Sequence, residues 1–124
     1  VLLGIGGKEY SNVHAVDTGT ILTEIQPNYV GALTVMLIEN TPLYQQMKNG
    51  VFKLPTPLEM LKELKIMIEH TDLKSGLFMA NHASNYLPLK LRMPKDKGYA
   101  LMLLNEIIAK EDESCLKPET LRAL

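Results

Sequence analysis

The first five positions, Val1 to Ile5, are nearly all apolar and are closed by Gly6-Gly7, the pattern of a strand buried on both faces and followed by a tight turn. A helix is expected next. Ser11 or Asn12 can cap it, Ala15, Thr18, Leu22 and Ile25 fall on one face, and Pro27-Asn28 ends it. Gly19 inside that helix costs about 1 kcal/mol relative to Ala, which points to close backbone packing there. Tyr29 to Ile38 reads as a second strand, weakened at its start by Gly31. Strand, helix, strand predicts a right-handed parallel crossover.

Asn40-Thr41-Pro42 then offers a capping residue followed by the proline favoured in a first helical turn, and Gly50 supplies the stop. Thr56-Pro57-Leu58-Glu59 is a stronger start, because Thr and Glu three apart can cap each other's amides. Leu58, Leu61, Lys65 and Ile68 line one side and Leu64 flanks it, so the helix runs to about Glu69. Gly76 to Ala80 forms a short third strand, and Ala100, Leu103, Leu104, Ile107 and Ile108 give a last helix over about Lys95 to Lys110 a broad apolar face. The acidic run Glu111-Asp112-Glu113 suits solvent, and Pro118-Glu119 starts one final turn. No repeat, low-complexity tract or linker divides the chain.

With 124 residues, 46% of them hydrophobic, the chain can bury one domain's core. A formal charge of -1 provides no global field to draw nucleic acid or an anionic membrane, so neither partner is expected. The apolar stretches, such as Gly31 to Ile38, fall far short of the roughly 20 residues of a membrane helix. A single cysteine, Cys115, can form no internal disulfide and cannot alone hold zinc or an iron–sulfur cluster, which favours a reducing, cytoplasmic setting. The opening Val1-Leu2-Leu3-Gly4 has no initiator Met and no signal-peptide pattern, and it leads us to expect a fragment whose first strand pairs with something preceding it.

Two stretches carry candidate chemistry. Gly4-Ile5-Gly6-Gly7-Lys8-Glu9 is a glycine-rich turn after a strand, where backbone amides can approach a polar or anionic ligand. Its spacing is neither the dinucleotide fingerprint nor a P-loop, and the plain alternative is a turn that needs positive φ. Asn81-His82-Ala83-Ser84-Asn85 follows the third strand directly, at the strand end where parallel sheets gather ligand sites. His82 there can handle a proton, a metal or a substrate oxygen; equally, Asn and Ser satisfy loop amides locally and His82 can be a structural histidine. His14, His70 and His82 show no metal-site spacing, Ser84 lacks the nucleophile elbow, and Cys115 sits beside acidic residues that disfavour a thiolate. Lys90, Arg92, Lys95 and Lys97 form a basic stretch that could meet phosphate, although Asp96 offsets it.

The ordered set VLLGIGGKE, HAVDTGTILTEIQPNYVGALTVMLIENTPLY, TPLEMLKELKIMIEH and ANHASNYLPLKLRMPKDK resembles the carboxyl-terminal half of a radical S-adenosylmethionine protein of the Fe–S oxidoreductase group. The resemblance spans nearly the whole chain and is most specific at N-H-A-S-N-Y-L-P-L followed by P-K-D-K. It implies an α/β fold in which residues 1–89 are late units of a parallel β/α (partial TIM-type) barrel and residues 90–124 a helical cover. It also implies S-adenosylmethionine and a [4Fe–4S] cluster in the parent protein, the cluster held by a C-x-x-x-C-x-x-C motif that has no counterpart here. Gly6 and Glu9 match the end of the family's glycine-rich motif, whereas Leu2 and Gly4 depart from its earlier positions. The resemblance thus assigns Gly4, Gly6, Gly7 and Glu9 to the cofactor pocket and Asn81, His82, Ser84, Asn85 and Tyr86 to the substrate face. Leu91 stands where a small residue is expected between two prolines. The implied partners are the amino-terminal half of the same protein and, through exposed strand edges, further copies of the chain. The contrasting expectation is a stand-alone α/β binding or assembly domain without catalysis.

Overall fold

The computed structural model describes residues 1–124. Its elements in order are β1 (Leu2–Leu3), α1 (Gly7–Ile25), β2 (Tyr29–Gly31), β3 (Leu33–Thr34), α2 (Pro42–Lys48), α3 (Pro57–Glu69), β4 (Gly76–Ala80), β5 (Leu89–Met93), α4 (Lys97–Lys110) and a 3₁₀ turn at Glu119–Leu121. The result is a small α/β fold with two short sheets, one purely parallel and one mixed, and neither closes into a barrel.

β2 and β3 are one passage of chain that serves both sheets. Toward one edge, β2 pairs in parallel with β4, Tyr29 opposite Leu77 and Gly31 opposite Met79. Toward the other, β3 pairs in parallel with β1, Leu2 opposite Leu33 and Leu3 opposite Thr34. The ladder changes sides around Ala32, whose amide donates to Met79 at 2.8 Å while that of Leu33 donates to Val1 at 3.0 Å. The chain therefore runs β1, β2/β3, β4 as spatial neighbours, all parallel, with β5 antiparallel beside β4.

Helices cover one face. α1 packs on α3, and α3 packs on α4. Beneath them Leu3, Val30, Phe78, Ala80, Leu91 and Met93 are buried, and with Met60, Leu64, Met67 and Leu104 they make a single core. The alternating residues Leu2, Tyr29, Leu33, Lys90 and Arg92 lie exposed on the opposite face, as period-2 alternation requires.

Several local expectations hold for stated reasons. Thr56 and Glu59 form the reciprocal capping box and Pro57 occupies the first turn of α3. Thr41 caps α2 by accepting from the Tyr44 amide. Gly19 sits where α1 crosses α3: a Cβ there would come within 2.7 Å of the Met67 carbonyl oxygen and the His70 Cβ.

Others are corrected. α1 begins at Gly7, four residues before the expected cap at Ser11, because the Gly6-Gly7 turn itself starts the helix. The long strand from Tyr29 to Ile38 stops at Thr34. The segment after residue 89, expected to be helical, opens with β5, and α4 starts only at Lys97. Leu89-Lys90-Leu91-Arg92-Met93 alternates apolar and basic residues, a half-buried strand pattern in the sequence that the nearby prolines obscured.

Candidate functional site

The glycine turn follows β1. Gly4 and Gly7 both adopt positive φ, +79° and +62°, which a side chain would oppose. Gly4 is buried, its amide donates to Glu63 Oε1 at 2.9 Å, and a Cβ there would collide with Met60. Gly7 approaches the Lys53 carbonyl and the Phe52 ring, either of which would stand 3.1 Å from a Cβ. Lys8, just inside α1, donates its amide to Lys53 at 2.9 Å. Against this turn lies a cleft of about 930 Å³ whose lining includes Gly6, Gly7, Glu9, Tyr10, Phe52 and Lys53. Of the residues assigned to a cofactor pocket, then, Gly6, Gly7 and Glu9 line a cavity and Gly4 lies beneath it.

Sequence reasoning missed the group that holds this turn. Glu63 is 1% exposed, in the middle of the buried face of α3. Its carboxylate accepts from the Gly4 amide, the Ser11 hydroxyl and His14 Nδ1, the last at 2.9 Å. A buried carboxylate is tolerable only when hydrogen-bonded in this way. Its signal was present: a glutamate among Met60, Leu61, Leu64, Met67 and Ile68 is a charge in a core stripe.

The Asn81–Tyr86 loop follows β4. β4 ends at Ala80, yet β3 continues alongside, so the Ala32 carbonyl and the Thr34 amide lack strand partners on that edge. Side chains replace them. Asn85 donates its amide to the Ala32 carbonyl at 2.7 Å and accepts the Thr34 hydroxyl at 2.7 Å, while Ser84 Oγ accepts the Thr34 amide at 3.0 Å. Ser84 and Asn85 are buried and occupied with the backbone of their own fold. His82 is half-buried. The Ser84 amide donates to its Nδ1 at 3.2 Å, and the Ser84 hydroxyl lies 2.9 Å from the same nitrogen. Asn81 is exposed. These two side chains are the part of the loop that can address a ligand.

Tyr86 is buried under the carboxyl-terminal tail. The Arg122 guanidinium stacks 4.0 Å from the ring centroid and donates to the phenol oxygen at 2.6 Å, and the phenol in turn donates to Glu119. Burial first, then the Glu119 carboxylate, raise the phenol's pKa above its ordinary value. Arg122 also donates to the Ser84 carbonyl at 2.7 Å and the Val35 carbonyl at 3.1 Å, so one guanidinium ties the tail to the residue after β3 and to the loop after β4.

The glycine turn and the Asn81 loop both follow the carboxyl ends of parallel strands, β1 and β4, with β3 between them. They share no cavity. Of the basic stretch, Lys90 and Arg92 point from the bare face of β5, whereas Lys97 turns inward to the carbonyls of Glu69 and Thr71 and to Asp72. The cleft beside Glu9 is of a size small ligands use, and Gly6, Gly7 and Glu9 offer backbone access and one carboxylate there. An iron–sulfur cluster does not fit these residues: Cys115 stands alone and exposed, and no three His, Cys, Asp or Glu side chains converge. Comparison with family models, with curated proteins and with solved structures finds no match to this chain.

Proposed function

We propose that this chain is the carboxyl-terminal part of a radical S-adenosylmethionine Fe–S oxidoreductase. In this reading Gly6, Gly7 and Glu9 border the cofactor, Asn81 and His82 face the substrate, and the cluster is held by cysteines elsewhere in the parent protein. By itself the chain is inactive. The observation that supports the reading is the order of its elements. β1, β2/β3 and β4 are successive parallel neighbours with the long helices side by side on one face, and both candidate loops leave the carboxyl ends, where barrel enzymes place their chemistry. The other face is bare: Leu2, Tyr29 and Leu33 are 36%, 68% and 37% exposed, as expected of a barrel's inner wall whose remaining strands belong to another segment or another copy.

The test is the reading frame upstream of Val1 and the protein it encodes. A C-x-x-x-C-x-x-C motif is expected there, with reductive release of 5′-deoxyadenosine by the full-length, anaerobically reconstituted protein. A frame without the three cysteines overturns the reading. Replacing Asn81 and His82 by alanine in that protein should abolish turnover while the cluster still assembles; undiminished turnover would remove them from the site.

One observation favours a second reading, a stand-alone binding or assembly domain. The tail through Arg122 already satisfies the Val35 carbonyl after β3 and the Ser84 carbonyl in the loop after β4, and no buried side-chain polar atom lacks a partner. A start codon immediately before Val1 would select this alternative.

A further inference from the structure

At the opposite, amino ends of β2 and β4 lies a recess of about 330 Å³, lined by Asn28, Tyr29, Ser75, Gly76, Leu77 and Arg92. Gly76 makes it possible. A Cβ there would stand 2.9 Å from the Pro27 carbonyl and 3.2 Å from that of Asn28, so only bare backbone lets β4 start this close under the turn. The Leu77 amide then fixes the approach by donating to Asn28 at 2.9 Å. Register does the rest: Tyr29 lies opposite Leu77 and Leu77 opposite Arg92. The phenol and the guanidinium thus flank Leu77 on one face, with backbones about 10 Å apart across two inter-strand steps.

The charge of this lining is one-sided. The side chains of Asn28, Tyr29, Ser75 and Arg92 donate no hydrogen bond within the chain, and Arg92 enters no ion pair. The nearby carboxylate of Asp96 accepts the Arg92 backbone amide at 2.8 Å. No lining residue is acidic, none of the five strands contains Asp or Glu, and a second free cation, Lys90, stands two residues along on the same face. A guanidinium fork, a hydroxyl, a carboxamide and a phenol can all donate, and the one charge among them is positive. Together they offer more donors than the two oxygens of a carboxylate use and suit the three terminal oxygens of a phosphate.

We propose that this recess binds a small phosphomonoester with an apolar or aromatic body. Arg92 takes the phosphate bidentate, Ser75 and Asn28 complete its hydrogen bonds, and Leu77 with the Tyr29 ring holds the body. Its volume suits a single small molecule. The site lies at the far ends of the strands from the glycine turn and the Asn81 loop, and it shares no residue with either.

The test is a ¹H–¹⁵N titration of the whole chain with phenyl phosphate, beside inorganic phosphate and benzoate. Saturable shifts are expected at the Asn28, Ser75 and Leu77 amides. Arg92→Gln should weaken binding about tenfold or more through loss of the fork, Ser75→Ala more mildly, and Lys90→Gln by less than about twofold, as for an exposed charge outside the recess. The exposed Arg92 side chain makes no hydrogen bond or ion pair within the chain, so its variant should keep the native spectrum elsewhere; if it does not, Ser75→Ala decides. Absence of saturation, equal weakening by Arg92→Gln and Lys90→Gln, or no effect of Ser75→Ala overturns the site. Benzoate binding as tightly as phenyl phosphate overturns the phosphate class, and inorganic phosphate binding as tightly overturns the apolar subsite.

Discussion

Asn85 donates its side-chain amide to the carbonyl of Ala32 at 2.7 Å, across 53 residues of sequence. It does so where the backbone ladder from β4 has just stopped, and with Ser84 it continues that ladder in side-chain form. The polar cluster that looks like a catalytic loop in the sequence is first of all a splice between a short strand and a longer neighbour.

That splice has a measurable strength. Asn85→Ala leaves the Ala32 carbonyl and the Thr34 hydroxyl without partners in a buried setting, and should lower unfolding free energy by about 2–4 kcal/mol in urea denaturation. Ser84→Ala strands the Thr34 amide and frees His82, at about 1–3 kcal/mol. A change under about 0.5 kcal/mol in both variants would show that water replaces these bonds.

Glu63 should be among the least replaceable residues in the chain. Glu63→Leu keeps the apolar stripe of α3 but leaves the Gly4 amide, Ser11 and His14 without their acceptor. A loss of about 3–5 kcal/mol is expected, as for removal of one partner from a buried charged network. Thermal and chemical unfolding of the variant measure it, and hydrogen exchange at Gly4 should accelerate most.

Gly19→Ala should destabilise the protein even though alanine favours helices. The added methyl meets the Met67 carbonyl at 2.7 Å, so α1 must move away from α3. The cost of overpacking, about 1–3 kcal/mol, outweighs the roughly 1 kcal/mol of propensity gained. A stabilised variant would mean that the two helices separate freely.

Two groups give opposite pH signatures. The Tyr86 pKa is raised, chiefly by burial, so its contribution is full below the ordinary tyrosine pKa and is lost as pH climbs above it. Stability of the wild-type protein should therefore fall more steeply above pH 10, the ordinary value, than that of Tyr86→Phe. The Glu59 pKa is lowered, chiefly by the Thr56 backbone amide, so its contribution is present above the ordinary carboxylate pKa and is lost as pH falls through the folded value. Glu59→Gln should flatten that acid limb, and Thr56→Ala should cost about 1 kcal/mol at neutral pH through the lost cap. Denaturation series at both ends of the pH range check these signs.

What the sequence determined by itself is local. The capping box at Thr56 and Glu59, the stop after Ile25, the strand at Gly76–Ala80 and the tight crossing at Gly19 all follow from forces acting within a turn or two of chain: fixed φ, amide capping and side-chain periodicity. What tertiary structure decided is pairing. Tyr29 to Thr34 shows no residue pattern that says one half will bond to β4 and the other to β1, because backbone ladders form between groups far apart in sequence and carry no side-chain signature. For the same reason Ser84 and Asn85, unmistakably polar in the sequence, could be seen to complete a sheet only once Ala32 and Thr34 stood beside them. The recess at Arg92 likewise exists only because β5 folds back antiparallel and brings that guanidinium within reach of Ser75 and Asn28, which are 17 and 64 residues away along the chain.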